Sequence, residues 1–179
     1  MIKQVVIRCK NNGKALKVDV GSTLQEIYDM LNAEESLGLV TAPVCAKVNN
    51  KTEGLHFRVY NAKTIEFMDL TSSTGSRVYT RTLFLVLCKA VHDLYPEGSV
   101  KIDIPVSNGY YCDLEIGHEV TPDDASAIRE KMPEIIDAGL PINRRECLTE
   151  EAIEMFRELG DQSKVELLQT IGKIYTVYY

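Results

Sequence analysis

The chain has 179 residues, a length that holds one domain or two small ones. Hydrophobic residues make up 45% and charged residues 26%, which excludes a disordered or low-complexity chain. The formal net charge is −6, divided as +1 over residues 1–70 and −7 over residues 71–179. The broad basic field on which non-specific nucleic-acid binding relies is therefore missing, and this weighs against a nucleic-acid partner.

The apolar run from Thr82 to Cys88 is far short of the roughly 20 residues a membrane span needs. Lys3 leads straight into a strand-like pattern, with no signal-peptide core. A cytoplasmic protein without a membrane partner is expected. The cysteines (Cys9, Cys45, Cys88, Cys112 and Cys147) are odd in number and scattered, with no C-x-x-C pair. They fit buried thiols better than a disulfide scaffold or a zinc ribbon.

Residues 2–9 are rich in β-branched side chains and predict a strand. Asn11-Asn12-Gly13 predicts a turn, because Asn and Gly accept positive φ at little cost, and residues 15–20 alternate like the returning strand. Ser22 or Thr23 can N-cap a helix over about 24–32, where Leu24, Ile27, Tyr28 and Leu31 share one face. A short strand from Cys45 to Val48 is turned by Asn49-Asn50, and residues 55–60 and 64–68 read as two more extended pieces. Residues 1–70 thus read as a small α+β roll.

Residues 71–76 are small and polar and read as a linker between two domains. A helix from about Arg77 to Leu94 carries apolar residues on several sides and is expected to be largely buried. Residues 100–106 and 110–116 read as a hairpin around Ser107-Asn108-Gly109. Thr121-Pro122-Asp123-Asp124 opens a second helix running to about Asp137. Residues 141–147 read as extended, Thr149 to Gly160 as a helix, and Asp161 to Leu168 as another. The closing segment reads as a strand ending without a polar tail, as expected of a chain cut inside a larger protein.

Two resemblances cover nearly all of this. Residues 1–70 resemble a TGS domain, the ubiquitin-like β-grasp module at the front of threonyl-tRNA synthetases and in some GTPases and (p)ppGpp synthetases. The features are the strand order, Gly21-Ser22-Thr23-Leu24 ahead of the helix, A-K-V-N-N at 46–50, and Leu55 before the last strand at Thr64 to Met68. Residues 77–179 resemble the second additional domain of threonyl-tRNA synthetase, shared with alanyl-tRNA synthetase, truncated at its C-terminus. This rests on A-V-H-D-L-Y-P at 90–96, I-P-V-S-N-G-Y-Y-C-D-L at 104–114, T-P-D-D at 121–124, E-E-A-I-E-M-F at 150–156 and G-D-Q-S-K-V-E-L-L at 160–168. The resemblance implies a β-grasp domain over 1–70, the linker 71–76, and an editing-type α+β domain over 77–179.

Editing members of that family begin the long helix with His-x-x-x-His, a metal-binding pair one turn apart. Counting back from Leu94-Tyr95-Pro96, those positions here are Arg81 and Leu85. A guanidinium has no lone pair for a metal and a leucine has no ligand atom. The second half of the motif, Cys-x-x-x-His, would lie beyond Tyr179. The expectation is a chain without catalytic residues or metal.

A TGS module followed by such a His-less domain is similar to the N-terminal half of bacterial nucleoside (uridine) kinases. That resemblance implies a non-catalytic accessory region partnered by a C-terminal kinase domain of the same polypeptide. ATP and magnesium would belong to that domain, since nothing here fits G-x-x-x-x-G-K-[ST]. The alternative is a tRNA-binding or aminoacyl-tRNA editing-type module.

Arg77 and Arg81 stand at i, i+4 and could fork a phosphate or carboxylate, or pair with Glu or Asp on a solvated face. Asn108, Tyr110 and Tyr111 match a stretch that lines the synthetase cleft, where Tyr rings can stack on a base, but a hairpin also needs such a turn. These five residues are the candidate ligand-binding set. Cys88 and His92 share the same i, i+4 spacing but lack further ligands, so Cys88 reads as core and His92 as surface. Asp123 and Asp124 read as helix-start residues and not as an acid/base pair. Tyr175, Tyr178 and Tyr179 are expected to pack against further protein or to form a dimer-prone apolar edge.

Overall fold

A computed structural model describes residues 3–107 and 109–178. The chain is α+β and forms two compact units, residues 1–133 and 134–179.

In the first unit, β1 (Gln4–Cys9) and β2 (Ala15–Asp19) pair antiparallel with Ile7 opposite Leu16. The helix α1 (Leu24–Glu34) follows; Thr23 caps it in a reciprocal capping box with Glu26. Three strands complete the sheet: β3 (Cys45–Val48), β4 (Lys51–Glu53) and β5 (Lys63–Met68), in the order β2-β1-β5-β3-β4 with β1 and β5 parallel. The i, i+3, i+7 face of α1 delivers Leu24, Ile27 and Leu31 onto Ile7, Val18, Ile65 and Phe67, all at most 2% exposed. This is the β-grasp arrangement.

Two details differ from the sequence reading. Asn49 and Asn50 adopt φ of 48° and 71°, so the chain doubles back at once and the returning strand is β4, three residues long. Residues 55–60 form no strand of the sheet. They dock on the start of α1 instead, where the carbonyls of Leu55 and Phe57 accept from the amides of Gln25 and Leu24. Those carbonyls satisfy donors that every helix start leaves open.

The helix α2 spans Ser73–Leu94, with Ser72 as its N-cap. The segment expected as a linker is thus folded, and its last four residues form the first turn of the helix. Nor is α2 largely buried: only Gly75, Ala90 and Val91 are, while Leu85 and Leu94 are 36% and 38% exposed. The reason is the narrowness of its cover. α2 packs on a two-stranded ribbon, β6 (Ser99–Val106) with β7 (Gly109–Glu115), which shields one stripe of a helix and no more. The ribbon pairing is irregular between Ile102 and Pro105, as a proline within a strand demands. α3 (Pro122–Asp137) opens on Thr121, whose hydroxyl accepts from the amide of Asp124 at 3.3 Å.

The second unit pairs β8 (Arg145–Leu148) antiparallel with β9 (Tyr175–Tyr178). Between them run α4 (Thr149–Glu158) and α5 (Gln162–Ile171), the latter capped by Asp161 and closed by Gly172 in the left-handed region. Its small core holds Cys147, Ala152 and Val165. Residues 141–144, expected as extended, lie outside β8. Tyr175 is 61% exposed; Tyr179 and the side chain of Tyr178 lie outside the described residues.

Candidate functional site

The positions 77, 81, 84, 88 and 91 fall within one stripe of α2, given its periodicity of about 3.6 residues. Along it Val91 is fully buried and Phe84 half-buried, whereas Arg77, Arg81 and Cys88 are exposed, so only part of the stripe is covered. Phe84 meets Tyr110 edge to face, with ring centres 4.8 Å apart and planes at 85°. Arg81 and Arg77 lie about one and two turns before Phe84 on α2, and β6 and β7 meet at a hairpin tip at Val106, Ser107 and Gly109. Ser107 itself adopts φ of 53°, the tight geometry such a tip requires.

Both arginines are exposed, and neither enters an ion pair among the described residues. Arg77 Nε donates to the carbonyl of Ser73 at 3.1 Å, tying the guanidinium to the first turn of the helix. Leu85 on α2 and, on the ribbon, Val106 at 56%, Tyr110 at 46% and Tyr111 at 57% are exposed apolar groups. Exposed cationic donors and exposed aromatic rings are the kinds of group that suit an anionic ligand carrying a planar ring. Asn108 lies outside the described residues.

Cys88, expected in the core, is exposed, because the two-stranded ribbon covers only a narrow part of α2. Cys9, Cys45 and Cys147 are buried, and burial pushes the Cys45 thiol up. His92 is exposed near the end of α2. At Arg81 and Leu85 the donor set cannot hold the metal that the synthetase pattern implies. One side chain stays protonated and the other has no heteroatom.

The segment joining β5 to α2 is densely hydrogen-bonded. Asp69 is 4% exposed. One carboxylate oxygen accepts from the amides of Val40 at 2.8 Å and Thr41 at 3.4 Å. The other accepts from Thr71, through its amide at 3.0 Å and its hydroxyl at 2.7 Å. These donors, the Thr71 hydroxyl first, pull the Asp69 carboxyl down to about 2.

A second carboxylate, Asp124, gathers the Tyr95 hydroxyl at 2.6 Å, the Thr121 hydroxyl at 2.6 Å and amide at 2.9 Å, and His118 Nε2 at 3.1 Å. Its carboxyl is held well below the usual range, first by the Thr121 hydroxyl. A carboxylate so engaged ties the end of α2 to the start of α3 and is no proton donor at neutral pH. Tyr95 and His118 escape sequence reasoning because their partner lies 29 and 6 residues away and no spacing rule links them.

No family model matches the chain. Among curated proteins it is 34% identical to the threonine–tRNA ligase of Syntrophomonas wolfei over 93% of this chain and 26% of the ligase. It is 31% identical to threonine–tRNA ligase 1 of Bacillus subtilis over 88% of this chain and 24% of that protein. The threonine–tRNA ligase of Aquifex aeolicus is 30% identical over 96% of this chain and 27% of the ligase. The chain is thus similar to threonine–tRNA ligases over most of its own length, and it spans about a quarter of theirs.

Proposed function

We propose that this chain is a tRNA-directed binding module of the kind found at the front of threonyl-tRNA synthetases, in which the editing-type cleft binds its ligand without a metal. On this reading residues 1–70 correspond to the TGS module and 77–179 to part of the editing-type domain, in a cytoplasmic protein. The observation that carries it is the similarity to threonine–tRNA ligases across 93% of the chain, both resembled domains included. Arg77 and Arg81 would take a phosphate of the acceptor end, with Tyr110 and Tyr111 against a ring and Asn108 as a further member of the proposed set. No step of hydrolysis is assigned, because Arg81 and Leu85 stand where the imidazole pair would be.

Chemical-shift mapping tests this reading. A CCA-ended acceptor-stem minihelix should shift the amides of residues 77–85 and 109–111 and leave α4 and α5 unmoved. Shifts confined to other surfaces, or none at low salt, would refute it.

The same Arg81 and Leu85 favour a second reading: the accessory region of a nucleoside kinase, with ATP and magnesium in another domain. The reading frame after Tyr179 discriminates the two. A P-loop there supports the kinase, and a synthetase catalytic core supports the tRNA module.

A further inference from the structure

The polar segment between β5 and α2 has the composition of a flexible tether and the hydrogen bonding of a clamp. Asp69 holds the 40–41 loop with one oxygen and Thr71 with the other. The amide of Leu70 donates to the Thr41 hydroxyl at 3.4 Å, so the loop and the joint are tied twice. The carbonyl of Asp69 accepts from the Ser72 hydroxyl at 2.8 Å, and that hydroxyl accepts in turn from the amide of Gly75 at 3.0 Å. One residue therefore connects the β-grasp loop, the end of β5 and the N-cap of α2.

Gly75 completes the device. A Cβ there would stand 1.9 Å from the Asp69 carbonyl oxygen, so the first turn of α2 rests directly on the joint. Two residues further on is Arg77, bonded back to Ser73 in that same turn. Arg81 follows one turn later.

We propose that Asp69 is a positioning residue: through Thr71, Ser72 and Gly75 it fixes the direction of α2 against the β-grasp, and so sets where Arg77 and Arg81 stand. This rests on the binding reading above. The two arginines lie on the first turns of a helix of 22 residues, and a guanidinium fork discriminates only when its geometry is held. A buried carboxylate with both oxygens saturated supplies that hold, whereas the Thr-Ser-Ser-Thr-Gly-Ser composition alone would leave α2 free to swing.

Residual dipolar couplings and minihelix titration, taken together on the 179-residue chain, test it. In the unaltered chain the amides of β1–β5 and of α2 should fit one alignment tensor. Asp69→Asn puts an amide group where a second acceptor is needed, and Thr71→Val deletes the hydroxyl donor. Both should require two tensors and weaken minihelix binding at least fivefold, with the β1–β5 amides still dispersed as in the folded sheet. Thr71→Ser keeps the hydroxyl and should match the unaltered chain in both measurements. One tensor in both Asp69→Asn and Thr71→Val overturns the clamp. Two tensors with binding within twofold of the unaltered chain overturn the positioning role. If the unaltered chain fails to bind the minihelix, the cleft reading fails and this inference falls with it, while the tensors still report separately whether the joint is rigid.

Discussion

Phe84 and Tyr110 lie edge to face at 4.8 Å, and this contact seats the β6–β7 ribbon against α2 just where the exposed arginines begin. An edge-on aromatic pair is worth about 0.5–1.5 kcal/mol beyond its buried area. Tyr110→Ala should therefore lower stability by about 1 kcal/mol in urea unfolding and loosen the ribbon. Tyr110→Phe keeps the ring and should be near neutral for stability. A loss as large in Tyr110→Phe would mean that the hydroxyl, not the ring, holds the hairpin.

Asp69 makes the fold acid-sensitive in a defined window. Its carboxyl titrates at about 2 in the folded chain, against an ordinary value of 3.8. A depressed folded value contributes stability that is fully present above the ordinary value and is lost as pH falls through the folded one. Urea midpoints should thus fall between pH 4 and pH 2, and Asp69→Asn should flatten that part of the profile. An unchanged slope in the variant would show that Asp69 does not carry it.

Gly75→Ala sets two effects against each other. Alanine favours a helix by about 1 kcal/mol over glycine. The added carbon would stand 1.9 Å from a backbone oxygen, and overpacking of that kind costs about 1–3 kcal/mol. The clash should win, giving a net loss of up to about 2 kcal/mol in denaturant unfolding. A stabilised variant would show that the joint gives way easily.

Thr23→Ala removes a reciprocal capping box at the start of α1 and should cost about 1 kcal/mol. Urea unfolding of the variant measures it. A loss below about 0.3 kcal/mol would show that the carbonyls of Leu55 and Phe57 suffice to hold that helix start.

The elements that sequence predicts well here are those written in neighbouring residues. The β1–β2 hairpin has its Asn-Asn-Gly turn, α1 its capping residue and apolar stripe, and α3 its Thr-Pro-Asp-Asp start. The three-residue β4 and the docked 55–60 segment depend on partners elsewhere in the chain, so alternation alone misplaced them. α2 misled in burial for a related reason: apolar residues on several sides say that a helix can be covered, not how wide its cover is. The reading of 71–76 as a linker followed composition. What folds that segment is a carboxylate bonded to amides 28 and 29 residues before it, a pairing that no local pattern encodes. At the candidate site, the arginine spacing was visible in sequence, but the Phe84–Tyr110 contact that seats the ribbon on α2 was not.

The most direct test of a cleft that binds without a metal is fluorescence anisotropy of a labelled CCA-ended minihelix, titrated at low salt with and without a chelator. The same salt-dependent affinity is expected in both conditions, reduced at least fivefold by Arg77→Ala with Arg81→Ala. Binding abolished by the chelator, or untouched by removing both guanidinium groups, would contradict it.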